Sequence, residues 1–225
     1  MRVLLIEDDS AVRFSIELLL RADAMCVDGA DCGEDGIEIA RHYDYDAIVL
    51  DLRLPDMTGF EVVRRLRQAK VGTPVVILSG STALEDKIRA LKAGADDYMT
   101  KPFSGDELTA RLRGLVRRSK GYSDARIRFG PMTLDLVAKT LEADGRRIDL
   151  SAKEYQILEL LSLRRGTTVS KETLIDHIYS GGEGPDSRTM EVFVHRLRRK
   201  LAAASQGRHF IETVRDQGYL MRRAA

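Results

Sequence analysis

Short apolar runs that each stop at a polar residue constrain the fold of this chain more than any other feature. Val3-Leu4-Leu5-Ile6 runs into Glu7-Asp8-Asp9, Ala47-Ile48-Val49-Leu50 into Asp51, and Val75-Val76-Ile77-Leu78 into Ser79. A fourth, shorter run ends at Lys101-Pro102. Continuous apolar runs separated by helix-like stretches mark parallel strands buried on both faces. Strands are predicted near 2–7, 24–30, 46–51, 75–79 and 96–99, and helices near 10–22, 33–42, 58–69, 84–93 and 105–118. Asp9 reads as the N-cap of the first helix, and Ser104 with Glu107 as a capping box opening the last. Five strands alternating with five helices give an α/β fold with a doubly wound parallel sheet. Ligand sites in such sheets lie beyond the carboxyl ends of the strands. The polar run ends therefore converge on one crevice. Clustered carboxylates, one hydroxyl and one ammonium suit a divalent cation and a phosphoryl group.

At 225 residues the chain has room for two ordinary domains, and its charge divides between them. Residues 1–118 hold 17 Lys and Arg against 21 Asp and Glu, while residues 119–225 hold 19 against 14. An acidic half joined to a basic half suggests a regulatory or metal-binding unit carrying a nucleic-acid binder. No apolar stretch approaches the roughly 18–20 residues of a membrane span, and no secretory signal opens the chain. A soluble, cytoplasmic protein is expected. Cys26 and Cys32 stand outside any metal-ligand pattern and read as buried or half-buried free thiols.

Basic and small polar residues from Arg117 to Ser123 mark a linker. The expected domains are 1–118 and 126–225, joined by 119–125. Beyond the linker, short β-like segments at 127–129, 132–135 and 139–142 are broken by turn signals such as Asp144-Gly145. A capping box, Ser151 with Glu154, opens a helix that turns Tyr155, Ile157, Leu158, Leu160 and Leu161 to a core. Ser170 can cap a second helix, and residues 181–185 force a loop. A third helix near 187–203 keeps Met190, Phe193, Val194, Leu197 and Leu201 on one stripe. Its outer face carries Arg188, Glu191, Val192, His195, Arg196 and Arg199, which suits docking in a DNA major groove. A terminal β-hairpin turns at Arg215-Asp216-Gln217. Strands, three helices and a hairpin make an α+β winged helix-turn-helix domain.

Assembled, these motifs resemble a two-component response regulator of the OmpR/PhoB class over essentially the whole chain. The matching pieces are Ile6-Glu7-Asp8-Asp9, Asp51 with Leu54-Pro55-Asp56-Met57-Thr58-Gly59, and the segment Gly94 to Phe103. Leu150-Ser151-Ala152-Lys153-Glu154-Tyr155, and Val214-Arg215 with Gly218-Tyr219, match in the second half. More narrowly, residues 1–10, 43–46, 93–103 and 117–121 look like the cell-cycle transcription regulators of alphaproteobacteria. The resemblance implies a flavodoxin-like receiver domain followed by the winged-helix domain. Asp51 is then the phosphoacceptor for a histidine kinase or histidine phosphotransferase. Glu7, Asp8, Asp51 and the backbone carbonyl of Arg53 are the Mg2+ ligands. Lys101, before a cis proline, and Ser79 stabilise the phosphoryl oxygens, and Ser79 and Tyr98 form the switch pair. Gly80 stands where a small Ala is common.

By the same resemblance Arg196 is the foremost base contact, beside Glu191, Val192 and His195. Arg188, Arg198, Arg199 and Lys200 meet phosphates, and Arg215 enters a narrow minor groove. Asp216 departs from the family, whose wing has Gly there; a carboxylate beside phosphate is unfavourable. Double-stranded DNA with A·T-rich paired half-sites and RNA polymerase are implied partners. A phosphorylation-dependent homodimer would pair Lys87, Asp96, Asp97, Glu107, Arg111 and Arg118. The terminal Ala224-Ala225 matches the end by which an ATP-dependent protease recognises regulators of this kind. The resemblance implies no dedicated enzyme beyond autodephosphorylation. An Asp-nucleophile phosphatase of the haloacid-dehalogenase type would want a second Asp where this chain has Arg53, and would leave the basic half unexplained. A DNA binder with an unphosphorylated receiver-like scaffold is the other alternative, but such regulators usually lack part of the acidic set kept here.

Overall fold

A computed structural model describes residues 1–179 and 187–222, with the side chains of Ser187 and Arg188 left aside. The chain forms two compact units, Met1–Ser119 and Lys120–Ala225. In the first, strands and helices alternate: β1 (Arg2–Ile6), α1 (Ser10–Ala22), β2 (Cys26–Ala30), α2 (Gly33–His42), β3 (Ala47–Asp51), α3 (Gly59–Gln68), β4 (Val75–Ser79), α4 (Leu84–Ala93), β5 (Asp97–Thr100) and α5 (Gly105–Ser119). The strands pair in parallel in the order β2-β1-β3-β4-β5. Two apolar layers sandwich the sheet. Leu4, Ile6, Ile48, Leu50 and Ile77 pack with α2 and α3 on one face, and Val3, Leu5, Val49, Val76 and Leu78 with α1 and α5 on the other. Every residue of β3 and β4 is buried, which explains why their sequences are unbroken apolar runs.

Local chemistry fixes the element ends. The Asp9 carboxylate accepts from the N–H groups of Ala11 and Val12, capping α1. The expected Ser104–Glu107 box is absent in this form. Leu108 N–H donates to the Ser104 backbone carbonyl, and the Glu107 carboxylate is taken by Arg111 four residues on.

The second unit opens with an antiparallel sheet, β6 (Arg126–Phe129), β7 (Met132–Asp135), β8 (Thr140–Ala143) and β9 (Arg146–Ile148). There follow α6 (Ala152–Leu163), β10 (Thr168–Val169), α7 (Lys171–Tyr179), α8 (Ser187–Ala204), β11 (Ile211–Val214) and β12 (Gly218–Met221). The hairpin β11–β12 joins β10 in a second antiparallel sheet. One core gathers Leu134, Leu141, Ile157, Leu161, Leu174, Met190, Val194, Leu197 and Met221. The Ser151–Glu154 capping box forms with both of its hydrogen bonds, and Ser170 Oγ accepts from Thr173 N–H at the start of α7.

Candidate functional site

Strands β1 and β3 are neighbours in the sheet, so the end of β3 at Asp51 meets Glu7 and Asp8, just past β1, at its carboxyl edge. Glu7 and Asp51 are buried there while Asp8 is exposed. One oxygen from each of the three lies within 4.8 Å of the others. The Lys101 ammonium donates to Glu7 Oε2 at 2.7 Å and to Asp51 Oδ1 at 2.6 Å. The other Asp51 oxygen accepts from Arg53 N–H at 2.6 Å. The Lys101–Pro102 bond is cis. Burial pushes the Glu7 carboxyl pKa up; Lys101 opposes this, and the neighbouring charges of Asp51 and Asp8 add to it. Burial alone would lower the Lys101 pKa, but its bonds to Asp51 and Glu7 outweigh that and raise it. Three convergent carboxylates form a hard, oxygen-only donor set, and that set fits Mg2+. A close approach tightens the crevice: a Cβ on Gly59 would stand 2.6 Å from the Asp51 carbonyl oxygen.

Ser79 ends β4, buried, and its hydroxyl accepts from Ser81 N–H at 3.0 Å. Tyr98 is also buried, and its hydroxyl donates to the Ser81 carbonyl at 2.9 Å. Ser81 thus joins the two expected switch residues. Its own hydroxyl donates to Asp86 on α4 at 2.6 Å. Neither Ser81 nor Asp86 is readable from sequence, because Ser81 acts largely through its backbone. Gly80 is exposed, and a Cβ there would meet nothing within 4 Å, so Ala would fit equally well.

Around β5, Arg111 bonds Asp97 at 2.8 Å and Glu107 at 2.7 Å within the one chain. Lys87 and Arg118 are exposed, as are Leu84, Ile88 and Leu91 along α4. Asp96 is exposed and also has partners within the chain. Its Oδ2 is shared by Arg67 Nη2 and Val75 N–H, both at 2.8 Å. It therefore ties the start of β5 to α3 and to the start of β4.

On α8, Met190, Val194, Leu197 and Leu201 are buried. Glu191, Val192, His195, Arg196 and Arg199 are exposed along the opposite face. Glu191 accepts from Lys171, at the start of α7, at 2.8 Å. Two of the expected phosphate contacts point elsewhere. Arg198 donates to the Ile211 carbonyl and to Thr213 Oγ1 at 3.0 and 2.9 Å, and lies over the Tyr219 ring. Lys200 donates to the Asp149 carbonyl and the buried Glu154 carboxylate at 2.8 and 2.7 Å. Both cations tie α8 to its own domain. Arg188 has no described side chain. Arg215 and Asp216 project from the hairpin, 96% and 92% exposed. Asp216 has φ +58°, a left-handed conformation that Gly takes freely and Asp tolerates.

The response regulator receiver domain matches residues 3–113, and the family described as transcriptional regulatory protein, C terminal, matches residues 145–221. The cell cycle response regulator CtrA of Brucella anthropi is 54% identical over 222 residues, covering 99% of this chain and 96% of its own. The cell cycle transcriptional regulator CtrA of Caulobacter vibrioides is 51% identical over the same shares. Among solved structures, a Francisella response regulator receiver domain superposes with TM-score 0.51 at 36% identity, covering 52% of this chain and 98% of that one.

Proposed function

The chain belongs to the response regulator family as a phosphorylation-controlled, DNA-binding transcription regulator, and from that premise we propose that Asp51 is its phosphoacceptor and α8 its recognition helix. The observation that carries the first assignment is Asp51 itself, held by Arg53 N–H and Lys101 beside Glu7 and Asp8. A carboxylate oxygen of Asp51 attacks the phosphorus of a phosphohistidine on a kinase or phosphotransferase. The P–N bond breaks with its electron pair going to the imidazole, and an acyl phosphate forms. Glu7, Asp8, Asp51 and the Arg53 carbonyl would hold Mg2+, which would supply positive charge to offset that of the phosphoryl oxygens. Lys101 holds an equatorial oxygen of the acyl phosphate, and the Ser79 hydroxyl donates to another. Hydrolysis of the acyl phosphate by water resets the protein.

The receiver spans 1–118, the linker 119–125 and the DNA-binding domain 126–225. Phosphorylation favours a dimer through α4, β5 and α5, in which Lys87, Asp96, Asp97, Glu107, Arg111 and Arg118 pair. Arg196 reads bases beside Glu191, Val192 and His195, while Arg199 and Arg215 meet the backbone and the minor groove. Targets are A·T-rich, TTAA-like half-sites with centres about 10–11 bp apart, where the regulator acts on RNA polymerase at cell-cycle genes in the cytoplasm. The cell-cycle role is supported by the relatives, which carry it in their names. Ala224-Ala225 lies outside the described residues; its recognition by an ATP-dependent protease is supported by the sequence resemblance alone.

Intact-mass measurement of phosphoryl uptake from acetyl phosphate with Mg2+ tests the acceptor. The wild-type chain gains one phosphoryl group and Asp51→Asn gains none. A stable phosphoryl group on Asp51→Asn removes the assignment.

A further inference from the structure

The loop between β3 and α3 carries the groups that hold Asp51, and its far end is tied to a different helix. At the start of α2, Cys32 in the N-cap position makes no side-chain cap hydrogen bond. Asp56, on the β3–α3 loop, supplies that cap from elsewhere in the chain. Its Oδ1 accepts from Gly33 N–H at 2.8 Å and its Oδ2 from Glu34 N–H at 2.9 Å. Helix N-termini favour such a carboxylate because their first N–H groups lack partners and carry the positive end of the dipole. Burial would raise the Asp56 carboxyl pKa, yet the backbone N–H groups of Gly33 and Glu34 and of the loop itself hold it below the ordinary range. The charged form, with both oxygens free to accept, is therefore the resident one near neutral pH.

The two segments also meet closely. A Cβ on Gly33 would come 2.6 Å from Met57 Cγ and 2.9 Å from Val62 Cγ2, so the helix start packs against the loop with no room for a side chain. At the near end of the loop, Arg53 N–H holds Asp51, Arg53 pairs with Thr58 in a β-bridge, and Gly59 N–H donates to the Leu52 carbonyl. The loop is pinned at both ends, with the Arg53 carbonyl between the pins.

We propose that Asp56 is a positioning residue of the phosphoacceptor site, clamping the β3–α3 loop to α2 so that Asp51 and the Arg53 carbonyl stand ready for Mg2+. The inference rests on the reading of Asp51 as an Mg2+-dependent acceptor. Outer-shell groups of this kind orient the ligands without touching the ion.

Calorimetric titration of the full chain with Mg2+ tests the clamp, alongside phosphoryl uptake from acetyl phosphate at graded Mg2+. Asp56→Ala raises the Mg2+ dissociation constant about tenfold, the lower end for removing an outer-shell partner. The half-saturating Mg2+ for phosphoryl uptake rises by the same factor, and uptake at saturating Mg2+ stays near wild type. Asp56→Asn keeps one acceptor oxygen and falls between the two, and it decides the matter if Asp56→Ala does not fold. Wild-type Mg2+ affinity in a folded variant, even one that melts earlier, overturns the clamp. Absence of Mg2+ binding by the wild-type chain removes the acceptor reading, and the role of Asp56 with it.

Discussion

Lys101 and Lys200 are both half-exposed lysines that reach a buried carboxylate, and their surroundings separate their roles. Lys101 bridges Glu7 and Asp51 in a crevice where a third carboxylate leaves the charge unbalanced. Lys200 meets a single carboxylate, Glu154, whose other task is to close the capping box of α6. That pair is balanced, and its work is structural. Lys200→Ala leaves the buried Glu154 without its cation and lowers domain stability by about 1–3 kcal/mol. The salt dependence of DNA binding keeps its wild-type slope; thermal melting and salt titration check the two halves of this prediction. The same network predicts a pH response. Burial would raise the Glu154 pKa, but Lys200 and the Ser151 N–H outweigh it and hold the folded value below the ordinary 4.5. The stabilisation is therefore complete above pH 4.5 and is lost as pH falls through the depressed value. Glu154→Gln removes this contribution, so the melting temperature of the variant falls less steeply than wild type on acidification below that point.

Among the elements, α8 shows how much of the interface a helix face can specify. Arg196 and Arg199 are exposed while Arg198, between them, is turned back to the hairpin. Arg196→Ala is expected to cost about 1–3 kcal/mol on specific DNA and much less on random DNA. Arg199→Ala weakens both alike and reduces the salt slope by about 1. Fluorescence anisotropy on both duplexes at several salt concentrations separates the outcomes, and equal losses for Arg196→Ala would contradict base reading. The sequence made α8 legible through its stripe of Met190, Val194, Leu197 and Leu201, and the receiver strands through their unbroken apolar runs. It did not reveal β9, because Arg146-Arg147-Ile148 lacks alternation, nor β10, which is two residues long. Spacing places Arg198 and Lys200 on a helix face but does not disclose the acceptors, the Ile211 and Asp149 carbonyls among them, that other segments bring to it. The roles of Asp56 and Ser81 are illegible for a related reason: Asp56 accepts from backbone N–H groups of α2, and Ser81 receives the Tyr98 hydroxyl on its own backbone carbonyl.

At the scale of the whole molecule, the proposal is that phosphorylated receivers pair and bring two DNA-binding domains onto paired half-sites. Arg111 already bonds Asp97 and Glu107 within one chain. Exposed pairs of this kind are worth roughly 0–1 kcal/mol each, so they set the geometry of a dimer more than its strength. Arg111→Glu places like charges together and is expected to abolish phosphorylation-dependent dimerisation, as read by sedimentation. The most direct measurement is binding to a duplex with two TTAA-like half-sites about one helical turn apart, with and without acetyl phosphate and Mg2+. Phosphorylation is predicted to tighten binding by the wild-type chain and to leave Asp51→Asn unchanged. Equal affinity of the wild-type chain in both conditions, with phosphoryl uptake verified by mass, would contradict control of DNA binding through Asp51.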